Sequence, residues 1–172
     1  MATIDERELA ETALTRLRAD EEVESDEWPP VARRFERARE RVGLTLDGIA
    51  ALLGIAKSEY WDIEFHDDEA FLCFSVVELR KIATILGEPL EALLFGSDFD
   101  APTTRISFAA IAERLRALAA TEGLTIEELG HRVGWELEPV MSDPQALGEF
   151  NLIGLSDVCH AIGVDWVTAL LD

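Results

Sequence analysis

Apolar residues recur at helical spacing along most of the chain, and the stretch from Gly43 to Glu64 shows this pattern most clearly. Its sequence is "GLTLDGIAALLGIAKSEYWDIE". Thr45 stands where a side chain would cap one short helix, Gly54 stands where that helix would end, and a second short helix would follow. Strand-like alternation is almost absent from the sequence, so the pattern predicts an all-α protein.

The first residues of the chain carry a separate helical pattern. A narrow apolar stripe in residues 4–19 consists of Leu9, Ala13, Leu14 and Leu17. Thr3 and Glu6 have the spacing of a capping box at its start. An acidic stretch with two prolines follows, so residues 1–29 are predicted to form an N-terminal helix and a linker. A helix of this length is marginal by itself, so we expect it to pack on another surface.

Residues 30–97 are predicted to form a domain of five helices. These helices cover the runs "VARRFERARERVG", "LDGIAALLG", "IAKSEYWDIE", "VVELRKIATILG" and "PLEALLFG". Four of these runs end in glycine, the residue that most readily takes the left-handed conformation at a helix end. The run "FHDDEAFLCF" between the third and fourth helices has no helical period and is predicted to be irregular.

The last part of the chain repeats this pattern. The run "GLTIEELGHRVG" at residues 123–134 matches "GLTLDGIAALLG" at residues 43–54, with an offset of 80. The run "LSDVCHAIGVDWVTALL" matches "LRKIATILGEPLEALLF" with an offset of 76. An internal repeat of one helical unit follows, and residues 104–172 are predicted to be a second domain.

The first repeat resembles the Xre/Cro family of lambda-repressor-like domains. The resemblance rests on Arg39, "GLTLDGIAALLGI", Ile63 with Glu64, and "LRKIATILGEPLEALL". It implies two tandem five-helix domains with a helix-turn-helix, whose second helix would enter the major groove of DNA. In that family an arginine before the first turn pairs with a glutamate that ends the recognition helix. The resemblance therefore implies a structural ion pair between Arg39 and Glu64.

The second repeat departs from the family at both ends of that pair. Ala119 stands at the position of Arg39, and Pro144 stands at the position of Glu64. The loss of both partners together is expected for a buried ion pair, because a single charge left buried without its partner would destabilise the fold. Pro139 is predicted to lie inside the third helix of this repeat and to shorten or bend it. The second copy is therefore predicted to be degenerate.

The net charge of −20 argues against nucleic acid as the main partner. The chain has 15 Lys and Arg residues against 35 Asp and Glu residues. The excess is spread over residues 1–30, 31–100 and 101–172, each of which is acidic. Such a field repels nucleic acid and anionic membranes and attracts basic proteins. Adaptation to a salty cytoplasm would give the same composition and remains an alternative.

The helix after Gly54 carries the candidate site. Ile55, Tyr60 and Ile63 are predicted to face the core, which leaves an exposed face that would meet a partner or DNA. That face consists of Lys57, Ser58, Glu59, Trp61 and Asp62. Only Lys57 and Ser58 suit DNA, whereas the two acids would meet phosphates with the wrong sign. Trp61 between acids suits a protein-binding patch, and the alternative is a partly buried core aromatic.

A second candidate is an arginine strip on the first helix. Arg33, Arg37 and Arg41 fall on one helix face at spacings of four. They could contact phosphates. The favoured interpretation is a solvated face on which Glu36 and Glu40 balance the arginines.

No other chemistry is predicted. The run from His66 to Glu69 lacks the ligand spacing of a zinc or calcium site, so it is interpreted as a solvated loop. Cys73 and Cys159 are predicted to be buried small residues, and Trp135 and Trp166 core residues. No motif for a nucleophile or a phosphate loop occurs. We therefore expect no enzyme activity, no metal and no cofactor.

These patterns together predict a cytoplasmic regulator. The start "MATIDERELAE" is acidic where a signal peptide would be basic, and no apolar run is long enough to span a membrane. The predicted function is non-enzymatic regulation through a basic protein partner, as in an antitoxin, an immunity protein or an anti-repressor. The alternative is an Xre-type transcriptional regulator, with weak DNA binding by the first domain. A homodimer would double its DNA contacts and its negative charge.

Overall fold

Every regular element in residues 31–171, the part that the computed structural model describes, is a helix. The all-α prediction is confirmed for this part of the chain. The predicted helix of residues 4–19, with the Thr3 and Glu6 capping box, and the linker up to residue 29 lie outside it. None of the helices in the described range has the length and apolar character needed to cross a bilayer.

The described chain divides into two compact units. The first contains residues 31–70 and 81–99, and the second contains residues 71–80 and 100–171. The helices of the N-terminal half are α1 (Val31–Arg41), α2 (Leu46–Leu53), α3 (Lys57–Ile63), α4 (Glu69–Leu72), α5 (Val76–Leu86) and α6 (Leu90–Phe95). Two of the unit boundaries therefore fall inside helices, one in α4 and one in α5.

The first unit is built on short capped helices around one core. The Thr45 side chain accepts a hydrogen bond from the Gly48 N–H at 3.0 Å and begins α2. Gly54 ends α2 with a φ of 80°, a conformation that few residues other than glycine adopt. The fully buried large side chains of this unit include Val31, Phe35, Ile49, Tyr60, Ile63, Ile82 and Leu86.

Two polar side chains bind backbone groups at helix ends in the first unit. Asp67 Oδ1 accepts a hydrogen bond from the Ala32 N–H at 2.8 Å, which places a negative charge at the start of α1. Arg34 donates to the carbonyls of Leu93 and Leu94 at 2.8 and 2.7 Å, at the end of α6. The segment around Asp67 was predicted to be irregular throughout, which was wrong at one point, because α4 lies within it.

After residue 100, the described part of the second unit contains five α-helices and one 3-10 helix. They are α7 (Phe108–Glu122), α8 (Ile126–Val133), α9 (Glu138–Ser142), a 3-10 helix (Pro144–Glu149), α10 (Leu152–Ala161) and α11 (Trp166–Leu170). Thr125 begins α8 and Gly134 ends it, each 80 residues after Thr45 and Gly54. Glu128 completes a capping box with Thr125, and hydrogen bonds from Thr125 lower the pKa of Glu128. The internal repeat therefore extends to the helix bounds and caps.

The third helix of the repeat is shorter in the second unit, as predicted, but for a different reason. Pro139 was predicted to lie inside the helix. In the structure α9 begins at Glu138, so Pro139 occupies the first turn, where its missing N–H costs nothing. The helix ends at Ser142, and the 3-10 helix begins at Pro144.

Residues 71–80 are built into the second unit by hydrogen bonds. Arg80 donates to the carbonyls of Ala169 and Leu170 at 3.2 and 2.9 Å, at the end of α11. Its guanidinium also lies 5.3 Å from the centre of the Phe108 ring. Ala169 and Leu170 stand 76 residues after Leu93 and Leu94. An arginine thus caps the last helix of each unit, and the second unit takes that arginine from residues 71–80.

Candidate interaction surface of the first unit

Helix α3 presents most of its predicted exposed face to solvent. Lys57, Ser58 and Glu59 are exposed, and Trp61 and Asp62 are half-buried. Tyr60 and Ile63 are fully buried on the opposite side. Ile55, which was predicted to face the core with them, is only half-buried, because it lies in the turn before α3 and not on the helix.

The orientation of α3 is fixed by an ion pair at its end. Arg39 Nε donates to Glu64 Oε1 at 2.7 Å, and Arg39 Nη2 donates to Glu64 Oε2 at 2.8 Å. The remaining amino group of Arg39 donates to the Leu44 carbonyl at 2.7 Å. The two side chains are only 11% and 3% exposed, and the hydrogen bond to Glu64 raises the pKa of Arg39. This two-point contact ties the end of α3 to the last turn of α1.

The Tyr60 hydroxyl lies next to this pair in the core. The residue is fully buried, and its oxygen makes no hydrogen bond of normal geometry with residues 31–171, although the Glu64 carboxylate lies close enough to act as an acceptor for the phenol. Burial raises the pKa of Tyr60, and the negative charge of Glu64 raises it further. Tyr60 is the only tyrosine in the chain.

Two aromatic rings stack at the exposed end of α3. The ring centres of Trp61 and Phe65 are 3.8 Å apart with an interplanar angle of 22°, and Phe65 is 60% exposed. His66 meets the indole edge-on, with ring centres 6.3 Å apart. We call Trp61, Phe65 and the neighbouring acids Glu59 and Asp62 the Trp61 surface.

Phe65 was missed in the sequence interpretation. It lies one residue after the end of the predicted recognition helix, so its apolar character was assigned to the loop. Its spacing of four from Trp61 was the available signal, because residues at that spacing share a helix face. The structure places Trp61 half-buried against this ring, which agrees in part with the alternative interpretation of a partly buried aromatic next to the irregular loop.

Most of the basic residues that could contact DNA are already paired with acidic residues. Lys57 Nζ lies 2.8 Å from Asp47 Oδ2. On α1, Arg33 pairs with Glu36, and Arg41 pairs with Glu88. Of the predicted strip only Arg37, which is exposed, has no ion-pair partner within the described part of the chain.

The remaining predicted positions differ from expectation in three places. Cys73 was predicted to be buried, but it is exposed, whereas Cys159 is buried. Trp135 and Trp166 were predicted to be core residues, but both are half-buried. In each case an apolar local sequence was taken as a sign of burial, although the side chain lies at the edge of the core.

The acidic run after the Trp61 surface has a structural role at one position. Asp67 accepts the Ala32 N–H and so caps α1. Residues 31–171 hold no group of three or more His, Cys, Asp or Glu side chains placed to bind a metal ion.

Comparison of the chain with protein-family models, with curated proteins and with solved structures found no match. Function therefore has to be argued from the geometry and charge of the surface itself.

Proposed function

We propose that this chain is a non-enzymatic regulatory protein that binds a basic protein partner through the Trp61 surface. Its helices would form two tandem helix-turn-helix domains of the Xre/Cro type, the second of them degenerate. The stacked pair of Trp61 and Phe65 carries the proposal, because the 60% exposed Phe65 extends the stack at the end of a helix that also bears Glu59 and Asp62. Antitoxins, immunity proteins and anti-repressors are regulators of this type.

The helix-turn-helix part of the proposal is supported by α2, the turn at Gly54 and α3. The buried pair of Arg39 and Glu64 adds support, because the same two positions are paired in the Xre/Cro family. In the second unit α8 repeats α2, but α9 has five residues where α3 has seven. The second repeat would then keep the scaffold without a recognition helix of full length.

The partner-binding part is supported by the composition of the Trp61 surface. Aromatic side chains are enriched among the residues that contribute most to protein interfaces. Glu59 and Asp62 would surround this anchor with negative charge and would steer a positively charged partner towards it. The net charge of −20 acts in the same direction over a longer range.

DNA binding is the second candidate function, and the arginine strip favours it. Arg33, Arg37 and Arg41 are all exposed along one face of α1. A basic side chain contributes to DNA affinity by neutralising a phosphate and releasing counterions. The acids that pair with Arg33, Arg41 and Lys57 would have to be displaced first, so we expect this binding to be weak.

Affinity capture with three versions of the full chain tests the partner proposal. The wild-type protein, the Phe65→Lys variant and the Leu52→Lys variant would each be immobilised and incubated with host extract. Leu52 is 55% exposed and gives a matched control for Phe65. We expect one basic protein that is retained by wild type and by Leu52→Lys but lost with Phe65→Lys. Equal retention by all three proteins would refute a role for the Trp61 surface.

A DNA titration tests the alternative. The protein would be mixed with its own upstream DNA and with random duplex at about 50 and 200 mM salt, a range over which affinity carried by phosphate contacts falls steeply. Selective binding to the upstream DNA that is lost in an Arg37→Ala variant would support the transcriptional regulator. The absence of binding at the lower salt concentration would leave the helix-turn-helix as a protein-binding scaffold.

A further inference from the structure

A groove in the second unit offers a binding site that is separate from the Trp61 surface. It has a volume of about 370 Å³. It lies beside an isolated antiparallel bridge between Ser75 and Asn151, where the Val76 N–H donates to the Phe150 carbonyl at 2.9 Å. Asn151 also donates from its side chain to the Leu72 carbonyl at 2.6 Å. The backbone along the groove is thus held in place by hydrogen bonds.

The apolar walls of the groove are Leu72, Val77 and Trp135. Leu72 and Val77 are 46% and 47% exposed, and both present apolar surface to the groove. Trp135 is fixed in three ways, because it stacks on Phe150 with ring centres 5.2 Å apart, packs against Gly154 and donates from Nε1 to Asp157. A rigid aromatic wall reduces the entropy cost of binding a ligand.

Two carboxylates lie at the rim of these walls. Glu149 is exposed, and its side chain makes no ion pair or hydrogen bond with residues 31–171. Glu78 accepts hydrogen bonds from Ser75 through Oε2, and its carboxylate can accept further bonds through Oε1. None of the residues that line the groove is a lysine or an arginine. The negative charge of the groove is therefore not compensated from within its lining.

We propose that this groove binds an arginine-bearing segment of a basic protein. The aliphatic stem of an arginine would lie against Leu72, Val77 and Trp135, and its guanidinium would reach Glu149 and Glu78. The charge of the surroundings is complementary to this occupant, because residues 101–172 carry four bases and eleven acids. The proposal goes beyond the function proposed above, because it concerns the second unit and requires no residue of the Trp61 surface.

Cys73 gives a local readout for the test. It lines the groove and is exposed, whereas Cys159, the only other cysteine, is buried. A thiol-alkylating reagent applied to the full chain should therefore react first at Cys73. A capped hexa-arginine peptide that occupies the groove should slow this reaction. The measured quantity is the ratio of alkylation rates without and with the peptide, for each protein variant separately.

Charge-matched variants separate binding in the groove from general attraction to an acidic protein. Leu72→Lys adds a positive charge inside the groove and should abolish the protection, whereas Leu52→Lys adds the same charge in the first unit and should retain it. Glu149→Gln should raise the half-protecting peptide concentration about three-fold, the effect of one partly exposed ion pair. Glu127→Gln removes an exposed charge elsewhere in the second unit and should leave that concentration unchanged.

Two results would overturn the proposal. In one, saturating peptide, as judged by calorimetry, leaves the alkylation rate of wild-type Cys73 unchanged, which would place the peptide elsewhere. In the other, Leu72→Lys and Leu52→Lys show equal protection, which would attribute the effect to net charge. Either result leaves the Trp61 surface untouched, because that surface is tested with Phe65→Lys.

Discussion

Gly154 and Trp135 approach each other so closely that a Cβ atom at residue 154 would lie 2.8 Å from the indole ring. The glycine lies inside α10 with no unusual backbone angle, so space and not conformation requires it. The lack of a side chain at Gly154 leaves room for the half-buried Trp135, which lines the groove.

Gly154→Ala should therefore destabilise the protein, although alanine is the better helix former. We expect a loss of about 1–3 kcal/mol from overpacking, reduced by the helix propensity gained, about 1 kcal/mol. Urea denaturation would measure the change. In a Trp135→Leu background the clash is absent, and there Gly154→Ala should be neutral or stabilising. The same loss in both backgrounds would contradict this explanation.

Removal of one partner of the ion pair between Arg39 and Glu64 should destabilise the protein much more than replacement of both. Arg39→Ala leaves the carboxylate of Glu64 buried without compensation and should cost about 3–5 kcal/mol. The double change Arg39→Met and Glu64→Leu removes both charges and should come close to wild type in denaturant. A double variant as unstable as the single one would mean that the pair stabilises more than its desolvation costs.

Because Tyr60 is buried, the stability of the protein should depend on pH in the alkaline range. An unfolded tyrosine loses its proton near pH ~10, whereas the pKa of buried Tyr60 is raised above this value. The folded state therefore keeps a proton that the unfolded state has lost. Its contribution to stability is intact below about pH 10 and falls as the pH rises further. Tyrosinate absorbance reports this residue alone, because the chain has no other tyrosine.

Tyr60→Phe is the matching variant. It removes a buried hydroxyl that makes no hydrogen bond of normal geometry in the described residues, so at neutral pH it should change stability by no more than about 1 kcal/mol. It should also lose the part of the alkaline decline that belongs to the phenol. An equal decline in both proteins would assign the pH dependence to other groups that titrate in this range, such as the cysteines and lysines.

Arg80 should contribute to the stability of the second unit, although it lies in the first half of the chain. Arg80→Ala leaves the carbonyls of Ala169 and Leu170 without their arginine donor and should cost about 1–3 kcal/mol. Lys81→Ala removes the same charge from a neighbour that makes one exposed hydrogen bond, to the Leu53 carbonyl, and should cost less. Hydrogen exchange at the amides of α11 would locate the effect. Unchanged protection there in Arg80→Ala would show that the cap is dispensable.

The sequence predicted the helices well where caps and apolar period agree. Thr45 and Gly54 bound α2, and their counterparts 80 residues later bound α8, because each end is set by local hydrogen bonds and by a glycine with positive φ. The short helix α4 was missed, because four residues are too few to show a period. Pro139 was misplaced by the alignment to α3, since the second copy starts this helix later.

The sequence predicted the candidate site only in part. The exposed face of α3 follows from helical spacing, but the pairing of Lys57 with Asp47 and of Arg41 with Glu88 depends on distances between helices. The groove of the second unit could not be predicted at all. Its lining joins Leu72 and Val77 to residues more than 50 positions later, such as Trp135 and Glu149.

The division of α5 between two compact units has a consequence for how the chain is made. Arg80 leaves the ribosome 89 and 90 residues before the two carbonyls that it caps. Contacts over such distances form late, because a long loop must close before they are gained. The first half of the chain should therefore expose residues that are buried in the complete protein, such as Val76 and Leu79, until α11 has been synthesised. Premature termination would leave residues 71–80 without the rest of their unit.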